Sequence, residues 1–283
     1  MKNKEKIITN TGTELDLDWV LMTQANTSAI ERRANNIGNR RSIKKQHQAA
    51  WLLKAITLID LTTLSGDDTE RRVHRLCAKG KQPISKLLVD ELGIQSLKIQ
   101  VGAICVYHEM VKTAVNALKD TTIPVAAVST GFPAGLSPLN LRIKEIKESV
   151  KIGASEIDIV ISRRHVLNGN WSALYEEVKL FKQACGNAHM KAILATGELG
   201  TLRNVARASL VCMMAGADFI KTSILFKQGQ GLFLSFSKGQ FQRISDSTPI
   251  GCINGKPVDN QIFAGLPSKN NPAKTKALAL ASK

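Results

Sequence analysis

The chain has 283 residues, 43% of them hydrophobic and 22% charged, which is typical of a globular protein with one large domain or two small ones. The formal net charge of +16 would suit a nucleic acid, an anionic lipid or a phosphorylated metabolite, and charge alone does not choose among them. Aromatic residues make up only 5% of the chain, which argues against a stacking platform for single-stranded nucleic acid. No stretch is apolar enough for a membrane span and no nucleic-acid motif occurs, so neither partner is expected.

The cysteines and histidines indicate neither a metal site nor a disulfide framework. The five cysteines are widely spaced, and none of the five histidines is paired in a motif such as HExxH. The N-terminal residues 1–20 lack an apolar run followed by a cleavage site, so they do not resemble a signal peptide. These observations predict a protein of the cytoplasm, a reducing compartment, that needs no metal or other cofactor.

Residues 1–50 are polar and follow a loose helical period, which predicts an N-terminal helical extension. The period leads into the β-branched run AITLIDLTTL at residues 55–64, which we interpret as the first strand. From residue 51 to residue 223 the pattern is one of alternating strands and helices, and this part is expected to form the main domain.

Five further apolar runs of strand length recur, separated by amphipathic segments of helical period. The runs lie at residues 98–107, 123–135, 155–162, 190–199 and 217–223, and the clearest helical segments at 140–153, 171–186 and 201–216. Apolar strands joined by helices imply a parallel sheet covered on both faces, which is either an open doubly wound sheet or a closed (β/α)8 barrel. No GxGxxG follows the first strand, which weakens the case for a dinucleotide-binding sheet.

Three charged residues interrupt these apolar strands, namely Asp60, Asp158 and Lys221. Any one of them alone is best interpreted as a surface residue at a strand end. Three in one alternating pattern predict side chains that converge at the C-terminal mouth of a barrel, where opposite charges partly offset one another's desolvation. A lysine in such a dry pocket loses its proton more easily, which favours Schiff-base formation with a carbonyl substrate. Lys221 would then be the nucleophile and Asp158 the proton carrier.

Six motifs occur in a fixed order along the chain and closely resemble those of the deoxyribose-phosphate aldolase family, most nearly its animal cytosolic type. They are LIDLTTLSGDDT, AICVY, GFPAG, GASEIDIVI, ILATGELGT and MMAGADFIKTS, and the resemblance covers about residues 10–223. It implies a (β/α)8 barrel of the TIM type and a class I, Schiff-base aldolase without a metal. The implied reaction is the reversible cleavage of 2-deoxy-D-ribose 5-phosphate, a small phosphorylated sugar, to D-glyceraldehyde 3-phosphate and acetaldehyde in deoxyribose phosphate catabolism. Oligomeric state is not readable from the surface helices, and a homo-oligomer is left open.

The resemblance also implies roles for individual residues. The lysine of FIKTS, Lys221, would form the Schiff base, and Asp158 would donate and accept protons. By the same resemblance Asp60, Thr62 and Cys105 would line the substrate site. A buried structural thiol is the alternative interpretation of Cys105.

After Ser223 the chain departs from the family pattern. The motifs expected for strands seven and eight, with a second catalytic lysine and phosphate-binding loops, are not recognisable, so the barrel is expected to be incomplete. Residues 224–283 are rich in Gly, Pro, Ser, Asn and Lys and are interpreted as a divergent, basic, poorly ordered tail. A missing pair of strands would expose sheet edges at strands one and six. The alternative function is therefore a catalytically impaired, truncated or splice form that acts only as a structural or interaction protein.

Overall fold

A computed structural model gives the structure of the chain. It describes residues 9–37, 40 and 43–222, and beyond them the backbone of four short strands. The strands are β1 (Ile59–Thr62), β2 (Ala103–Tyr107), β3 (Val125–Ser129), β4 (Glu156–Val160), β5 (His189–Ile193), β6 (Phe219–Lys221), β7 (Phe233–Ser237), β8 (Gln240–Ser245), β9 (Cys252–Ile253) and β10 (Lys256–Pro257). The helices are α1 (Leu17–Met22), α2 (Thr27–Ile37), α3 (Lys45–Ile56), α4 (Glu70–Lys81), α5 (Lys86–Leu92), α6 (Val111–Leu118), α7 (Leu139–Ile152), α8 (Arg163–Leu167), α9 (Trp171–Cys185) and α10 (Leu202–Met214).

The first six strands are parallel and lie side by side in chain order, with at least one helix between each strand and the next. This arrangement confirms the α/β class predicted from the alternating pattern, and of its two possible architectures the barrel that the family resemblance implies. The regular repeat ends at β6, as expected. A hairpin of β7 and β8 then completes a closed ring, with β7 antiparallel to β6 and β8 parallel to β1. The edges of β1 and β6 that the sequence left open are thus paired, although not by a continued strand–helix repeat.

The remainder of the predicted tail, residues 224–283, lies outside the described residues apart from β7 to β10. The last two of these form a separate two-stranded antiparallel sheet. The prediction that the tail is poorly ordered stays a prediction.

Local sequence explains where the helices of the barrel begin and end. Thr69 and Thr201 precede α4 and α10, and their side chains accept hydrogen bonds from the amides of Arg72 and Asn204. Such caps satisfy amide groups that the first turn of a helix leaves without a partner. Gly153 ends α7 with φ of 118°, a left-handed conformation that glycine adopts without a steric penalty.

The barrel has two differently composed cores. Between the strands and the surrounding helices lies a large apolar layer that includes Ile104, Ile157 and Phe181, all fully buried. Inside the ring, the small apolar cluster of Cys105, Ala126 and Val128 lies beside charged side chains. The outer face of the strands is apolar because helices cover it. Polar residues on the inner face are therefore the ones that indicate a functional site.

The N-terminal segment packs on the outside of the barrel. Helix α1 lies against α10, and Val20 of α1 is fully buried in the outer core. The guanidinium of Arg207 donates hydrogen bonds to the carbonyls of Leu21 and Thr23. Among the residues that the structure describes, no helix is both long and apolar enough to cross a membrane.

Candidate active site

Five charged side chains from four strands meet inside the barrel. Asp60 lies on β1, Glu156 and Asp158 on β4, Lys191 on β5 and Lys221 on β6. All five are buried, with at most 4% of any side chain exposed. The three charged residues singled out from the sequence are therefore brought together, as the strand pattern predicts.

The two lysines share two carboxylates, those of Asp158 and Asp60. Lys221 Nζ lies 2.5 Å from Asp158 Oδ2 and 3.8 Å from Asp60 Oδ2. Lys191 Nζ lies 2.6 Å from Asp60 Oδ2, 2.8 Å from Glu156 Oε2 and 3.3 Å from Asp158 Oδ1. Each ammonium thus replaces lost hydration with carboxylate oxygens, as a buried charge requires.

Opposing effects set the pKa values in this cluster. Burial alone raises the pKa of Asp158, but the positive charges of Lys191 and Lys221 outweigh it and hold the pKa below its usual value. Burial alone lowers the pKa of Lys221, but Asp158, with further contributions from Cys105 and Asp60, outweighs it and the net pKa is raised. In the resting protein Asp158 is therefore a carboxylate and Lys221 an ammonium, and an amine must lose a proton before it can attack a carbonyl.

The two other predicted site residues lie beside the charged cluster. The thiol of Cys105 donates to Asp158 Oδ2 over 3.6 Å, and burial raises the pKa of this thiol to about 12. Cys105 is thus both a buried thiol and a neighbour of the charged cluster, so the two interpretations of it are compatible. Thr62 is buried on β1, where its hydroxyl donates to the carbonyl of Asp60 over 2.8 Å.

An apolar wall adjoins the same carboxylate at the ends of the strands. Leu64, Tyr107 and Phe132 are half-buried and pack against the cluster that contains Cys105. The rings of Tyr107 and Phe132 meet edge to face, with centroids 6.0 Å apart. A small aldehyde bound here would have charged groups on one side and apolar carbon on the other.

Sequence reasoning missed Lys191 and Glu156. Both lie near the beginning of an apolar strand, where a charged residue is usually taken as part of a solvated turn. The period-two alternation could have identified them, because Lys191 shares its face with Ile193 and Glu156 shares its face with Asp158. A polar residue on the inward face of a barrel strand is a site candidate.

A lysine that the sequence analysis did not single out, Lys191, lies within the charged cluster on β5. Which side chains meet in a parallel barrel depends on which of them point to the interior and not on distance along the chain. Beyond residue 222 the structure describes only the backbone of four short strands, so the absence of the family's second lysine there stays a prediction. The interaction-only alternative is not favoured, because the described residues assemble a buried lysine–carboxylate cluster.

This arrangement can carry out carbonyl chemistry. A buried amine beside a second cation is able to lose its proton and condense with an aldehyde, and a shared carboxylate can move the protons involved. Within the residues described, no group of three or more His, Cys, Asp or Glu side chains could hold a metal ion.

Comparisons with known proteins agree with this chemistry. Residues 54–244 match the family described as DeoC/LacD family aldolase. A deoxyribose-phosphate aldolase of Mus musculus is 58% identical over 214 residues, which cover 75% of this chain and 67% of that protein. The Homo sapiens deoxyribose-phosphate aldolase is 56% identical over 216 residues, covering 76% of this chain and 68% of that protein.

Solved structures share the barrel fold. The aldolase QR15 superposes with a TM-score of 0.50 at 28% sequence identity, covering 62% of this chain and 70% of that one. A structure from Coccidioides immitis superposes with a TM-score of 0.52 at 23% identity, covering 71% of this chain and 74% of that one. At such low identity the second likeness concerns the fold alone.

Proposed function

Because the chain belongs to the DeoC/LacD family of aldolases, we propose that it cleaves and forms a carbon–carbon bond of 2-deoxy-D-ribose 5-phosphate through a Schiff base. The chain is an aldolase, a carbon–carbon lyase; the substrate and the covalent intermediate are the proposal. One observation carries it, which is that Lys191 and Lys221 lie 3.3 Å and 2.5 Å from the two oxygens of Asp158 inside the barrel. The names of the mammalian relatives support the choice of substrate.

The proposed reaction begins at C1 of the open-chain sugar. A neutral lysine amine attacks the aldehyde carbon, the carbinolamine takes up a proton and loses water, and an iminium remains. The C3 hydroxyl then gives up its proton, the C2–C3 bond breaks, and its electrons form an enamine as D-glyceraldehyde 3-phosphate leaves. Protonation of the enamine at C2 and hydrolysis release acetaldehyde and restore the lysine. Asp158 is the group placed to accept and return these protons.

We propose that the Schiff base forms on one of the two lysines, Lys191 or Lys221, and borohydride trapping identifies which. The family resemblance gives this role to Lys221. The raised pKa of Lys221 keeps it an ammonium at rest, and its positive charge favours loss of a proton from any amine beside it. Lys191 lies against the same carboxylate, so it is the second candidate for the nucleophile.

The remaining predicted residues are given supporting roles. Asp60 accepts from Lys191 and keeps that side chain directed at the shared carboxylate. Thr62 and Cys105 are proposed to border the bound aldehyde. The proposed location is the cytoplasm, with or without assembly into a homo-oligomer. The cytoplasmic location is supported by the free thiols of the four cysteines that the structure describes, Cys77, Cys105, Cys185 and Cys212.

Trapping tests the covalent intermediate. The protein is incubated with acetaldehyde and sodium borohydride, which reduces the imine to a stable ethyl-amine adduct, and fragment masses then locate the added 28 Da. A single adduct on either Lys191 or Lys221 is expected. Lys182 is a matched control, because it is also paired with an aspartate, Asp218 at 2.6 Å, but lies outside the barrel. Modification at Lys182 alone, or no adduct, contradicts the Schiff-base mechanism.

Turnover tests the substrate. Retro-aldol activity is measured with 2-deoxyribose 5-phosphate and with unphosphorylated 2-deoxyribose, and at least a hundredfold higher kcat/KM is expected for the phosphorylated sugar. Lys191→Met and Lys221→Met should each reduce turnover at least a thousandfold, whereas Lys182→Met should remain within threefold of the unaltered protein. Equal use of both sugars would refute the phosphosugar assignment and leave the aldolase chemistry intact.

A further inference from the structure

Arg163 joins two loops at the C-terminal end of the barrel strands. It is the first residue of α8 and follows β4 directly, and only 14% of its side chain is exposed. Its guanidinium makes contacts in three directions, since Nε lies 2.7 Å from Glu198 Oε2, Nη2 donates to the Ala134 carbonyl over 2.9 Å, and Nη1 donates to the Pro133 carbonyl over 3.3 Å.

The first loop held in this way follows β3 and carries part of the apolar wall. Phe132 of this loop packs beside Cys105 and against the ring of Tyr107, and its neighbours Pro133 and Ala134 are exposed. The loop therefore has solvent on one side and the reactive carboxylate close to the other. Arg163 contacts the loop at the two residues that follow Phe132.

The backbone of that loop starts in a conformation that needs support. Thr130 has φ of 63°, which is unfavourable for a β-branched residue and costs on the order of 1–3 kcal/mol. From within, its hydroxyl accepts from the amide of Val160 over 2.6 Å and lies 3.0 Å from the carbonyl of the same residue. The start of the loop is thus fixed to β4, the amide of Gly131 donates to Glu145 Oε2 over 3.0 Å, and the carbonyls of Pro133 and Ala134 accept from Arg163.

The second loop follows β5, the strand that carries Lys191. Glu198 ends a short helical turn at Thr196–Glu198, and this turn follows Ala195, which has φ of 52°. An exposed ion pair usually contributes little to stability, and Glu198 keeps 41% of its side chain exposed. The Arg163–Glu198 ion pair has a larger structural role than an isolated surface pair. The same guanidinium also donates hydrogen bonds to two carbonyls of the β3 loop.

We propose that Arg163 is a positioning residue, which holds Phe132 over the lysine–carboxylate cluster and ties the β3 loop to the β5 loop. It does not contact the reacting groups itself. By keeping both loops in place it excludes water from the cluster and fixes the apolar face of the aldehyde pocket. This inference deepens the proposed function, and its kinetic part rests on that function.

Amide hydrogen exchange tests the positioning independently of any activity. The amide of Gly135 donates to the Gly131 carbonyl within the β3 loop, and the amide of Glu198 donates to the Ala195 carbonyl within the β5 loop, each over 2.8 Å. In Arg163→Met, we expect both amides to exchange at least tenfold faster, because these hydrogen bonds open when their loops loosen. Arg164→Met is the matched control, because Arg164 is the adjacent, exposed arginine and carries the same charge. Unchanged exchange in either loop of Arg163→Met overturns the inference, whatever the activity of the protein.

Glu198→Gln separates the two contacts and replaces Arg163→Met if that variant does not fold. It weakens only the contact to the β5 loop, so the Glu198-loop amide should exchange faster while the Gly135 amide stays within threefold. Equal acceleration of both amides would show general loosening and would refute a specific tie.

Kinetics then test whether Arg163 acts through Phe132. We expect Arg163→Met to lower kcat at least tenfold, with KM changed by less than threefold, and Arg164→Met to change neither. Phe132→Ala should lower kcat similarly. The kcat of the double variant should lie within threefold of that of Phe132→Ala, because Arg163 acts on the reaction only by positioning Phe132. Losses that multiply in the double variant overturn the inference. If the unaltered protein has no turnover, the proposed function fails and the exchange experiment still decides the role of Arg163.

Discussion

Replacing Lys191 with methionine should make the stability of the protein depend on pH in a way that can be calculated. The substitution leaves Asp60, Glu156 and Asp158 with one ammonium, that of Lys221, in a site with almost no water. Three buried carboxylates cannot all remain ionised beside one cation, so the folded variant should bind at least one extra proton. At pH 7, protonating a carboxyl with an ordinary pKa of about 4 costs roughly 4 kcal/mol, at ~1.36 kcal/mol for each pH unit.

The sign of the effect follows from proton binding in the two states. In the unaltered protein the pKa of Asp158 is lowered, so its stabilising contribution is present above its ordinary value of 3.8 and is lost only as pH falls through the lower folded pKa. In Lys191→Met the folded state binds more protons than the unfolded state, so its free energy of unfolding rises as pH falls. The difference between the two proteins should shrink from ~4 kcal/mol at pH 7 to ~1.4 kcal/mol at pH 5.

Urea denaturation followed by tryptophan fluorescence between pH 5 and pH 8 measures this difference, and Trp171 is a buried reporter. Lys151→Met is the control, because Lys151 is an exposed lysine whose ion pair with Glu148 spans 3.6 Å. The control should show no difference that varies with pH. Two results would refute the view that the charges of the cluster compensate one another. One is that Lys191→Met is as stable as the unaltered protein, and the other is that its loss of stability is the same at pH 5 and pH 7.

Two other predictions concern groups near the barrel wall. Glu177→Gln should reduce the free energy of unfolding, measured by urea denaturation, by about 3–5 kcal/mol. The buried Arg142 lies 2.7 Å from the Glu177 carboxylate and would lose its counter-charge. A loss no larger than that of the exposed Glu148→Gln would contradict this. Cys105 should react with iodoacetamide at pH 8 at least a hundredfold more slowly in the native protein than in urea, because burial raises the pKa of its thiol to about 12. Similar rates, followed by mass spectrometry, would show that the thiol is accessible and ionised.

The fold was predictable where one physical signal acted along the whole chain. Apolar strands alternating with amphipathic helices specify a parallel sheet, and charged residues within those strands marked its inner face at Asp60, Asp158 and Lys221. The closure of the ring was not predictable, because β7 pairs antiparallel to β6 and lacks the intervening helix on which the pattern depends. Neither was the contribution of Arg163, whose three contacts join loops that are far apart in sequence and have no periodicity.

Lys191 illustrates a different limit. Its position on β5 is as apolar in context as that of Lys221 on β6, but a lysine near a strand start has an ordinary explanation in solvent exposure. What decides between these explanations is the neighbour on the next strand, since Lys191 pairs in register with Asp158 on β4. Register between strands is a property of the closed sheet and cannot be read from one strand alone.

The composition of the cluster also bears on how a buried amine could become neutral. Releasing a proton from an isolated buried ammonium to water changes the net charge of a dry site, which is unfavourable when the surrounding carboxylates have been balanced against it. Here a proton can pass from a lysine to Asp158, which lies 2.5 Å from Lys221 and 3.3 Å from Lys191, without any change in the net charge of the five groups. This internal transfer is still uphill, because the pKa of Lys221 is raised and the pKa of Asp158 is lowered. It nevertheless removes one positive and one negative charge together, so it leaves no uncompensated charge in the low dielectric of the site. A strongly paired lysine and a nucleophilic lysine are therefore compatible in this barrel, since the carboxylate that stabilises the ammonium at rest is also the base that we propose removes its proton.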